Sequence, residues 1–567
     1  MRHVTRRRVG AAAIAVLLAT AGSGLAQDKA KPQYGGAIEI GSEYPTLSAL
    51  SWDPADWVWK LNQDTSGYFE QLVVGDLSKS VTRGGPFRFV SGSWLPTEAL
   101  RGELAESWEQ KDNPLAAEFH LRRGIMWPAK DGVMASRELT AEDVVYSFNR
   151  MINSPRKLQR VYDFIDRVEA TDKYTVTYYM KEFNAEWDYL IAWGYYTAVL
   201  PKELVDANIK EWKNATGTGP FAVTEVIPGN SQMYKKRAGY WGKETIDEKE
   251  YQLPFVDQYT FRVIKDESTQ LTALRTGKLD MLLTIQANAV SELKRQVPDL
   301  QWNRRLTQSA PVLAMRTDTK PFDDVRVRRA MNMAVNKDEI IKQYYSGNAE
   351  LFSFPMHQEW TGYYKPLAAM PAEVQELFKF DPARAKKLLA EAGYPNGFSF
   401  KAQVCTCNAD HLDLLPLLAS YFEAVGVKME IQPMEYTAFL SVMQSNQNAA
   451  GYMSGSGQTH PIGVLRKDFT LVGGYNPSAY KNPAYDARVA ELIRTRDESV
   501  RKTMVAELTA DILKEAPYVW LPSPYIYTAW WPWVKNYSGE LSVGATRPGP
   551  IFARIWIDQD LKKKMGR

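Results

Sequence analysis

Cysteine is almost absent from this sequence of 567 residues, and histidine is rare: the chain has two cysteines and five histidines. Cys405 and Cys407 flank a single threonine. Two ligands do not complete a zinc site, and this spacing differs from the CxxC of thioredoxin-like proteins. Packed thiols or one local disulfide remain as alternatives. The sequence therefore predicts no metal site and no cofactor, and four histidines are interpreted as structural or surface residues: His120, His357, His411 and His460.

Long apolar runs are also missing. No segment after the N-terminus approaches the 18 or so apolar residues of a membrane-spanning helix. Residues 1–26 combine a basic start (Arg6, Arg7 and Arg8), a short apolar stretch and a small-residue site ending at Ala26, which is the pattern of a cleavable signal peptide. The paired arginines of TRRRVG favour the Tat pathway, although Sec signals can be basic as well.

No cysteine follows that apolar stretch to carry a lipid anchor, so we expect a soluble monomer in a Gram-negative periplasm. An excess of positive charge is missing too. The chain has 69 Lys and Arg against 66 Asp and Glu. Four of the arginines and none of the acids lie in residues 1–26, so the remainder has a net charge of −1. This balance excludes a general attraction to nucleic acid.

Catalytic motifs are lacking as well. The sequence contains no GxSxG, HExxH or GxxxxGK, and no cysteine placed as a nucleophile near a histidine. A pair of carboxylates for glycoside hydrolysis stays open, because 66 acidic residues always allow some pair. We therefore expect a binding protein and not an enzyme, and a secreted hydrolase is the weaker alternative.

Tryptophan and tyrosine, in contrast, are plentiful, at 17 and 30 residues. Their flat apolar rings and polar tips suit binding clefts, although most must fill cores. Strand-like runs at 174–180 and 220–226 alternate with capped helices. Three helices have clear boundary residues: Thr140 and Asp143, then Asp381, Pro382 and Gly393, then Asn336 and Gly347. The alternation predicts a mixed α/β fold (α/β or α+β).

Five blocks follow one another along the chain: LAESWEQ (104–110) with FHLRRGIMW (119–127) and LTAEDVVYSFNRM (139–151), GTGPFAVTEVIPGNSQMYKKRAGYWG (217–242), KPFDDVRVRRAMNMAVNKDEII (320–341), FDPARAKKLLAEAGYPNG (380–397) and YKNPAYDARVAELI (480–493). In this order they resemble the family 5 extracellular solute-binding proteins of ABC importers. In the first block, Trp108 and Phe119 are placed to pack together across a strand pair, and we assign them to the core.

The resemblance implies a two-lobed periplasmic binding protein with hinge strands and an extra subdomain in the N-terminal lobe. We expect a Tat-like signal peptide at 1–26, an N-terminal lobe at 27–310 with an inserted subdomain at about 52–213, a second lobe at 311–520, and a return to the first lobe at 521–567. Such a receptor binds a solute between its lobes, closes around it and delivers it to an inner-membrane ABC permease. The resemblance makes a peptide the default ligand.

The segment YMSGSGQTHP (452–461) bears on that default. In peptide-binding members of the family, an Asp shortly before the matching proline pairs with the ammonium group of the peptide. Here the proline is Pro461, and the Asp position falls near Gly457. We interpret the segment as a cleft loop whose acid is missing, with four candidate ligand contacts: Ser454, Ser456, Gln458 and His460.

An ammonium group buried without a carboxylate is costly. The loop therefore favours a neutral solute such as an oligosaccharide over a peptide, unless another acid reaches the site. Glu43, the candidate acid, and Tyr44 end the first strand, where the family usually places cleft contacts. Three further candidate contacts are Tyr68 in GYFEQL and Tyr525 and Tyr527 on the returning strand.

Overall fold

The computed structural model describes residues 31–42, 51–56, 59–92, 94–154, 159–457, 459–471 and 474–567. The predicted signal peptide at 1–26 lies outside them. Gln33–Arg567 form one compact unit. Among the described residues, no helix is both long and apolar enough to cross a membrane.

The main sheet of the first lobe draws on both ends of the chain. Its central strand, Ala37–Ser42, runs parallel to both neighbours. The spatial order of the main strands is Phe221–Ile227, Ser231–Lys236, Gln258–Val263, Ala37–Ser42, Met281–Gln286, Ser523–Trp530 and Gln301–Leu306. The short strand Ala349–Glu350 also pairs with Ser523–Trp530. The last part of the chain thus completes a sheet that the first part begins.

The second lobe has a five-stranded sheet. In spatial order its strands are Val427–Met434, Phe398–Cys405, Gly451–Gly457, Ser309–Met315 and Tyr518–Trp520. The chain enters this sheet from the first one across residues 307–308 and returns across residues 521–522. Two short crossings therefore connect the lobes, which is the connectivity of a hinged binding protein.

A separate four-stranded sheet lies within the first-lobe part of the chain. Its strands in spatial order are Ala105–Asp112, Leu115–Leu121, Thr175–Met180 and Ile165–Asp172. Trp108 lies opposite Phe119 in its first strand pair, as predicted. The pairs of the small two-stranded sheets are Val73–Gly75 with Leu100–Gly102, Met126–Trp127 with Arg137–Glu138, Lys243–Ile246 with Lys249–Gln252, and Val534–Lys535 with Trp556–Ile557.

The boundary residues predict the helices well. Thr140 precedes Ala141–Ile152, and its backbone N–H donates to the Asp143 carboxylate at 3.0 Å. Asp381 caps Pro382–Glu391 through its side chain, and Gly393 follows with a positive φ of 94°. Because glycine adopts this conformation without steric cost, it ends the helix there.

The remaining elements are as follows. The other α-helices are Trp59–Thr65, Gln159–Tyr162, Lys202–Asp206, Glu267–Arg275, Ala287–Gln296, Val325–Met333, Lys337–Glu339, Ala372–Glu376, Ala409–Glu423, Tyr436–Gln444, Pro461–Phe469, Pro483–Arg494, Glu498–Glu515, Gly549–Phe552 and Gln559–Lys564. Tyr189–Trp193 and Ile340–Tyr344 are π-helical turns. Short 3₁₀ turns occur at Leu77–Lys79, Val81–Arg83, Thr97–Ala99, Trp212–Asn214 and Leu367–Ala369.

Each lobe has its own hydrophobic core. Ile40 and Trp533 belong to the first, and Leu313 and Phe322 belong to the second. Trp94 packs against both cores, which places it where the lobes meet. The cysteines form a disulfide at the end of Phe398–Cys405, so the local-bridge alternative holds.

Candidate functional site

A turn at residues 181–188 of the first lobe reaches the second lobe. Asn184 orders it, because its side-chain oxygen accepts the backbone N–H of Glu186 at 2.8 Å. The backbone N–H of Ala185 donates to the carbonyl of Ile493, in the second lobe, at 2.7 Å. Acidic and aromatic side chains of this turn are thereby held at the boundary between the lobes.

The best-buried charges at this boundary are those of Glu186 and Arg466. The guanidinium of Arg466 donates to both Glu186 oxygens, at 2.9 and 3.3 Å. Nδ1 of His460 lies 3.8 Å from the same carboxylate. The Glu186 side chain is 1% exposed and that of Arg466 16%. We call these three residues the buried cluster.

The charges of the buried cluster compensate one another. Burial raises the pKa of Glu186, but Arg466 and His460 together outweigh burial, and the pKa lies below its ordinary value. Burial lowers the pKa of His460, and the nearby carboxylates oppose this only in part. Nδ1 of His460 accepts the backbone N–H groups of Ile462 and Gly463 at 3.1 and 3.3 Å, so it carries no proton. At neutral pH the ion pair is therefore Glu186 with Arg466, beside a neutral imidazole.

Aromatic rings surround His460. Trp94 of the first lobe makes edge contacts with Trp360, Tyr363 and His460 of the second, at centroid distances of 6.0 to 6.1 Å. The ring of Tyr189 lies 5.7 Å from His460. These rings exclude water from the buried cluster, which strengthens its electrostatic interactions.

A cavity of about 370 Å³ opens beside the buried cluster and between the lobes. Its walls include Trp108, Phe183, Trp187 and Asp188 of the first lobe and Arg496 and Arg501 of the second. This volume falls within the range of small-molecule sites, which combine apolar walls with a few polar groups. The cavity is the candidate ligand site.

Its charged groups are held by different partners. Arg501 donates through one terminal nitrogen to the carbonyls of Thr495 and Arg496, at 3.0 and 2.6 Å. Its Nε–H is buried without an acceptor among the described residues. Asp188 accepts the indole N–H of Trp193 at 3.3 Å. Neither of these two charges takes part in an ion pair within 4 Å among the described residues.

Exposed ion pairs cross between the lobes at the rim of the cavity. Glu182 and Asp112 of the first lobe pair with Arg494 and Arg496 of the second. The guanidinium of Arg496 also lies 5.0 Å from the ring of Phe183. These four charged side chains are 47 to 77% exposed, so each pair contributes little stability.

One surface cluster has the geometry of a metal site. Glu109, Glu118 and His120 place ligand atoms within 4.8 Å of one another. The ammonium of Lys111, however, lies 2.6 Å from Glu118 and 3.3 Å from Glu109. A lysine already balances these carboxylates, so the cluster is better explained as a surface ion network.

The segment 452–461 is part of the folded second lobe. Its first residues belong to the strand Gly451–Gly457, and His460 is the N-cap of the helix that begins at Pro461. Of its four candidate contacts, His460 lies at the lobe boundary, whereas the hydroxyl of Ser454 bonds to that of Tyr475 inside the second lobe. The backbone of Ser456 pairs with that of Ala310 in the sheet. The side chain of Ser456 and the whole of Gln458 are outside the described part of the structure.

The other predicted contacts lie apart from the cavity. Tyr68 is 1% exposed in the first-lobe core. Tyr525 donates to Glu350 at 2.6 Å and Tyr527 donates to Asn348 at 2.8 Å, beside the crossing segments. Glu43 and Tyr44 lie outside the described residues. Among the described residues, none of the predicted contacts lines the cavity, and their role in binding stays a prediction.

Most of the cavity walls were not predicted from the sequence. The core assignment is correct for Phe119, which is fully buried, but incomplete for Trp108, which packs against the core and also lines the cavity. Trp187 and Asp188 follow a strand in EFNAEWD, where acids and aromatic residues concentrate. That composition could have indicated a binding site. Nothing in the sequence indicates one at Arg501, because it lies in a helix rich in charged residues that resembles a solvent-exposed surface.

The model of the family "Bacterial extracellular solute-binding proteins, family 5 Middle" matches residues 99–463. Among curated proteins, heme-binding protein A of Haemophilus influenzae is 25% identical in an alignment 461 residues long, which covers 76% of this chain and 81% of the relative. The dipeptide-binding protein of Escherichia coli is 27% identical in an alignment 413 residues long, which covers 69% of this chain and 74% of the relative.

Solved structures show the same fold. The ABC transporter-associated periplasmic binding protein of Helicobacter pylori, in complex with the peptide STSA, superposes with a TM-score of 0.76 at 23% identity. The alignment covers 93% of this chain and 99% of that one. The two-lobed architecture expected from the sequence is confirmed.

Proposed function

We propose, from the premise that the chain belongs to family 5 of the bacterial extracellular solute-binding proteins, that it is a periplasmic receptor for a short peptide. It is a binding protein of an ABC importer and not an enzyme. The two crossings at residues 307–308 and 521–522 act as the hinge between the predicted lobes, and the solute is held between the lobes until the permease receives it.

One observation carries the peptide assignment: the interlobe cavity contains both signs of charge, an acid from the first lobe and arginines from the second. A peptide with free ends has the matching charges. A neutral solute is favoured by the sequence only because no acid lies near Gly457. In the folded chain, the first lobe brings Glu186 next to His460 and places Asp188 in the cavity, so the acid need not come from the loop.

Calorimetric titration tests the ligand class. The protein, freed of bound solute by unfolding and refolding, is titrated with dipeptides, tripeptides and cello-oligosaccharides. We expect micromolar binding of at least one peptide, which corresponds to about 8 kcal/mol. Binding of an oligosaccharide with no response to any peptide would instead establish the neutral-solute alternative.

We further propose that residues 1–26 direct export through the Tat pathway and are then removed. Replacing Arg6, Arg7 and Arg8 by lysine keeps the charge but removes the arginine pair. Tat export of the lysine variant should stop, whereas a Sec signal would tolerate the change. Cell fractionation with an antibody against the mature chain measures the difference, and normal periplasmic levels would assign the signal to Sec.

A further inference from the structure

Five positively charged side chains lie together on the surface of the first lobe, where two helices end. They are all exposed: Arg275 and Lys278 at the end of Glu267–Arg275, and Lys563, Lys564 and Arg567 at the end of Gln559–Lys564. The guanidinium carbon of Arg567 lies 5.5 Å from the centre of the Trp531 ring, and the indole N–H of Trp531 donates to the carbonyl of Leu274 at 2.8 Å. The two helix ends therefore meet, and we call the five charged residues the basic patch.

The protein compensates the charge of the basic patch only in part. None of the five side chains has an ion-pair partner within 4 Å among the described residues, and the nearby acids pair with other cations, Asp280 with Lys562 and Glu292 with Arg295. Asp560 is an exposed acid on the C-terminal helix. The C-terminal ends of two helix dipoles together supply only about one further negative charge. A net charge of about +3 therefore remains, on a chain that is close to neutral after residue 26.

The compact part of the chain also begins beside the basic patch. Gln33 is its first residue, and the side-chain oxygen of Gln33 accepts the backbone N–H of Gln559 at 3.2 Å. Gln559 is about one helical turn from Lys563 on the C-terminal helix. The proposed signal peptide precedes Gln33 by only residues 27–32. Since a signal peptide is held at the membrane during export, this point of attachment brings the side of the protein with the basic patch towards the bilayer.

We propose that the basic patch binds the anionic phospholipid headgroups of the inner membrane and keeps the receptor near its permease. Each Lys or Arg close to an anionic membrane strengthens adsorption by about fivefold, and the attraction falls off within a Debye length. The five charges are exposed and come from two chain segments, which suits an extended array of phosphates. The basic patch lies outside the interlobe cavity, so this inference goes beyond the proposed function and does not depend on the class of ligand.

Vesicle sedimentation with the full mature protein tests the proposal. The wild type should sediment with vesicles of phosphatidylcholine and phosphatidylglycerol but not with phosphatidylcholine alone, and raising the salt from about 0.05 to 0.5 M should release it. The triple variant Lys278→Gln, Lys563→Gln and Lys564→Gln should bind the anionic vesicles about a hundredfold more weakly. Arg275 and Arg567 are left in place because their side chains also contact the protein.

A matched control separates the basic patch from the total charge. Lys365→Gln, Lys386→Gln and Lys428→Gln remove the same charge from exposed positions of the second lobe. This control variant should bind the anionic vesicles as the wild type does. All six lysines are exposed, so both variants should keep the wild-type melting temperature, which shows that any loss of binding is not a loss of folding.

Other occupants of the basic patch would give different results. Inorganic phosphate, added at constant ionic strength, should not displace the vesicles, and displacement would instead identify a site for one small anion. Binding of poly-glutamate without binding of vesicles would assign the basic patch to an acidic polypeptide. No binding of anionic vesicles by the wild type, or equal binding by the wild type and the patch variant, would overturn the proposal. None of these outcomes changes the calorimetric test of the peptide ligand.

Discussion

The lobes meet in two chemically different regions. In the buried cluster, Glu186 and Arg466 are shielded from water and joined by two hydrogen bonds. Around the cavity, charges are either exposed at the rim, as in Glu182 with Arg494, or have no ion-pair partner within 4 Å in the described part of the chain, as in Asp188. A matched pair holds the protein's own surfaces together, whereas an unmatched charge is available to a ligand. The buried cluster therefore holds the two lobes together, whereas the charges around the cavity are available to a ligand.

The largest effect is expected from Glu186→Gln. It leaves the charge of Arg466 buried without a carboxylate, and breaking a buried pair in this way costs about 3 to 5 kcal/mol. Opening of the lobes lets water reach Arg466, so the variant should have a larger radius of gyration without ligand and a lower melting temperature. Small-angle scattering and thermal unfolding measure both.

The double variant Glu186→Leu with Arg466→Met is the control for that result. It removes both charges together, and replacing a buried pair by apolar groups is often close to neutral. The double variant should therefore be more stable than Glu186→Gln. Equal losses in the two variants would contradict a role for charge in the buried cluster.

The next effect concerns closure around a ligand. A solute that binds only the folded protein stabilises it by about 2.7 kcal/mol at a hundredfold excess over Kd. Saturation with a peptide should raise the melting temperature and reduce the radius of gyration, because Asp188 and Arg501 come from different lobes. An unchanged radius of gyration at proven saturation would refute the hinge mechanism.

Acid should weaken the buried cluster. Burial holds the pKa of His460 below its ordinary value, so the unfolded chain takes up this proton first as the pH falls. The associated stability is complete above about pH 6.5 and is lost below it. Glu186 acts in the same direction at lower pH, since its depressed pKa favours the folded state only while it is ionised in the unfolded one.

The variant His460→Asn measures how much His460 contributes to this loss of stability at acid pH. Asparagine is a good N-cap and does not titrate, so the helix at Pro461 should persist. Between about pH 7.5 and 5, the variant should lose less stability to urea than the wild type. His357 and His411, each with a pKa lowered by burial to about 4, contribute the same background to both proteins. Identical pH slopes would show that His460 does not carry the effect.

The sequence could predict the helix starts, because they depend on residues close together in the chain. Thr140 with Asp143 and Asp381 with Pro382 show their helix starts directly, because the capping partners lie within three residues. His460 before Pro461 carried a comparable signal, since proline is common at the first helical position. The ordered family blocks then predicted the two lobes.

The site could not be predicted in the same way. Glu186 and Arg466 are 280 residues apart, and no local pattern shows that they meet. Asp188 and Arg501 lie in different lobes and line one cavity only in the folded chain. A single sequence also does not distinguish a core ring from an exposed one, and Tyr68, which is 1% exposed, is an example.

The smallest effect is expected from the exposed ion pairs at the rim of the cavity. Glu182→Gln makes the same chemical change as Glu186→Gln, four residues away on the same turn, but the pair it breaks is about half exposed. Water replaces the lost partner, so we expect a loss of at most about 1 kcal/mol. The loss should shrink between about 0.05 and 0.5 M salt, because salt screens exposed charges more than buried ones. Urea unfolding at both salt concentrations compares the two variants, and a salt-independent loss as large as that of Glu186→Gln would mean that burial does not distinguish the two regions.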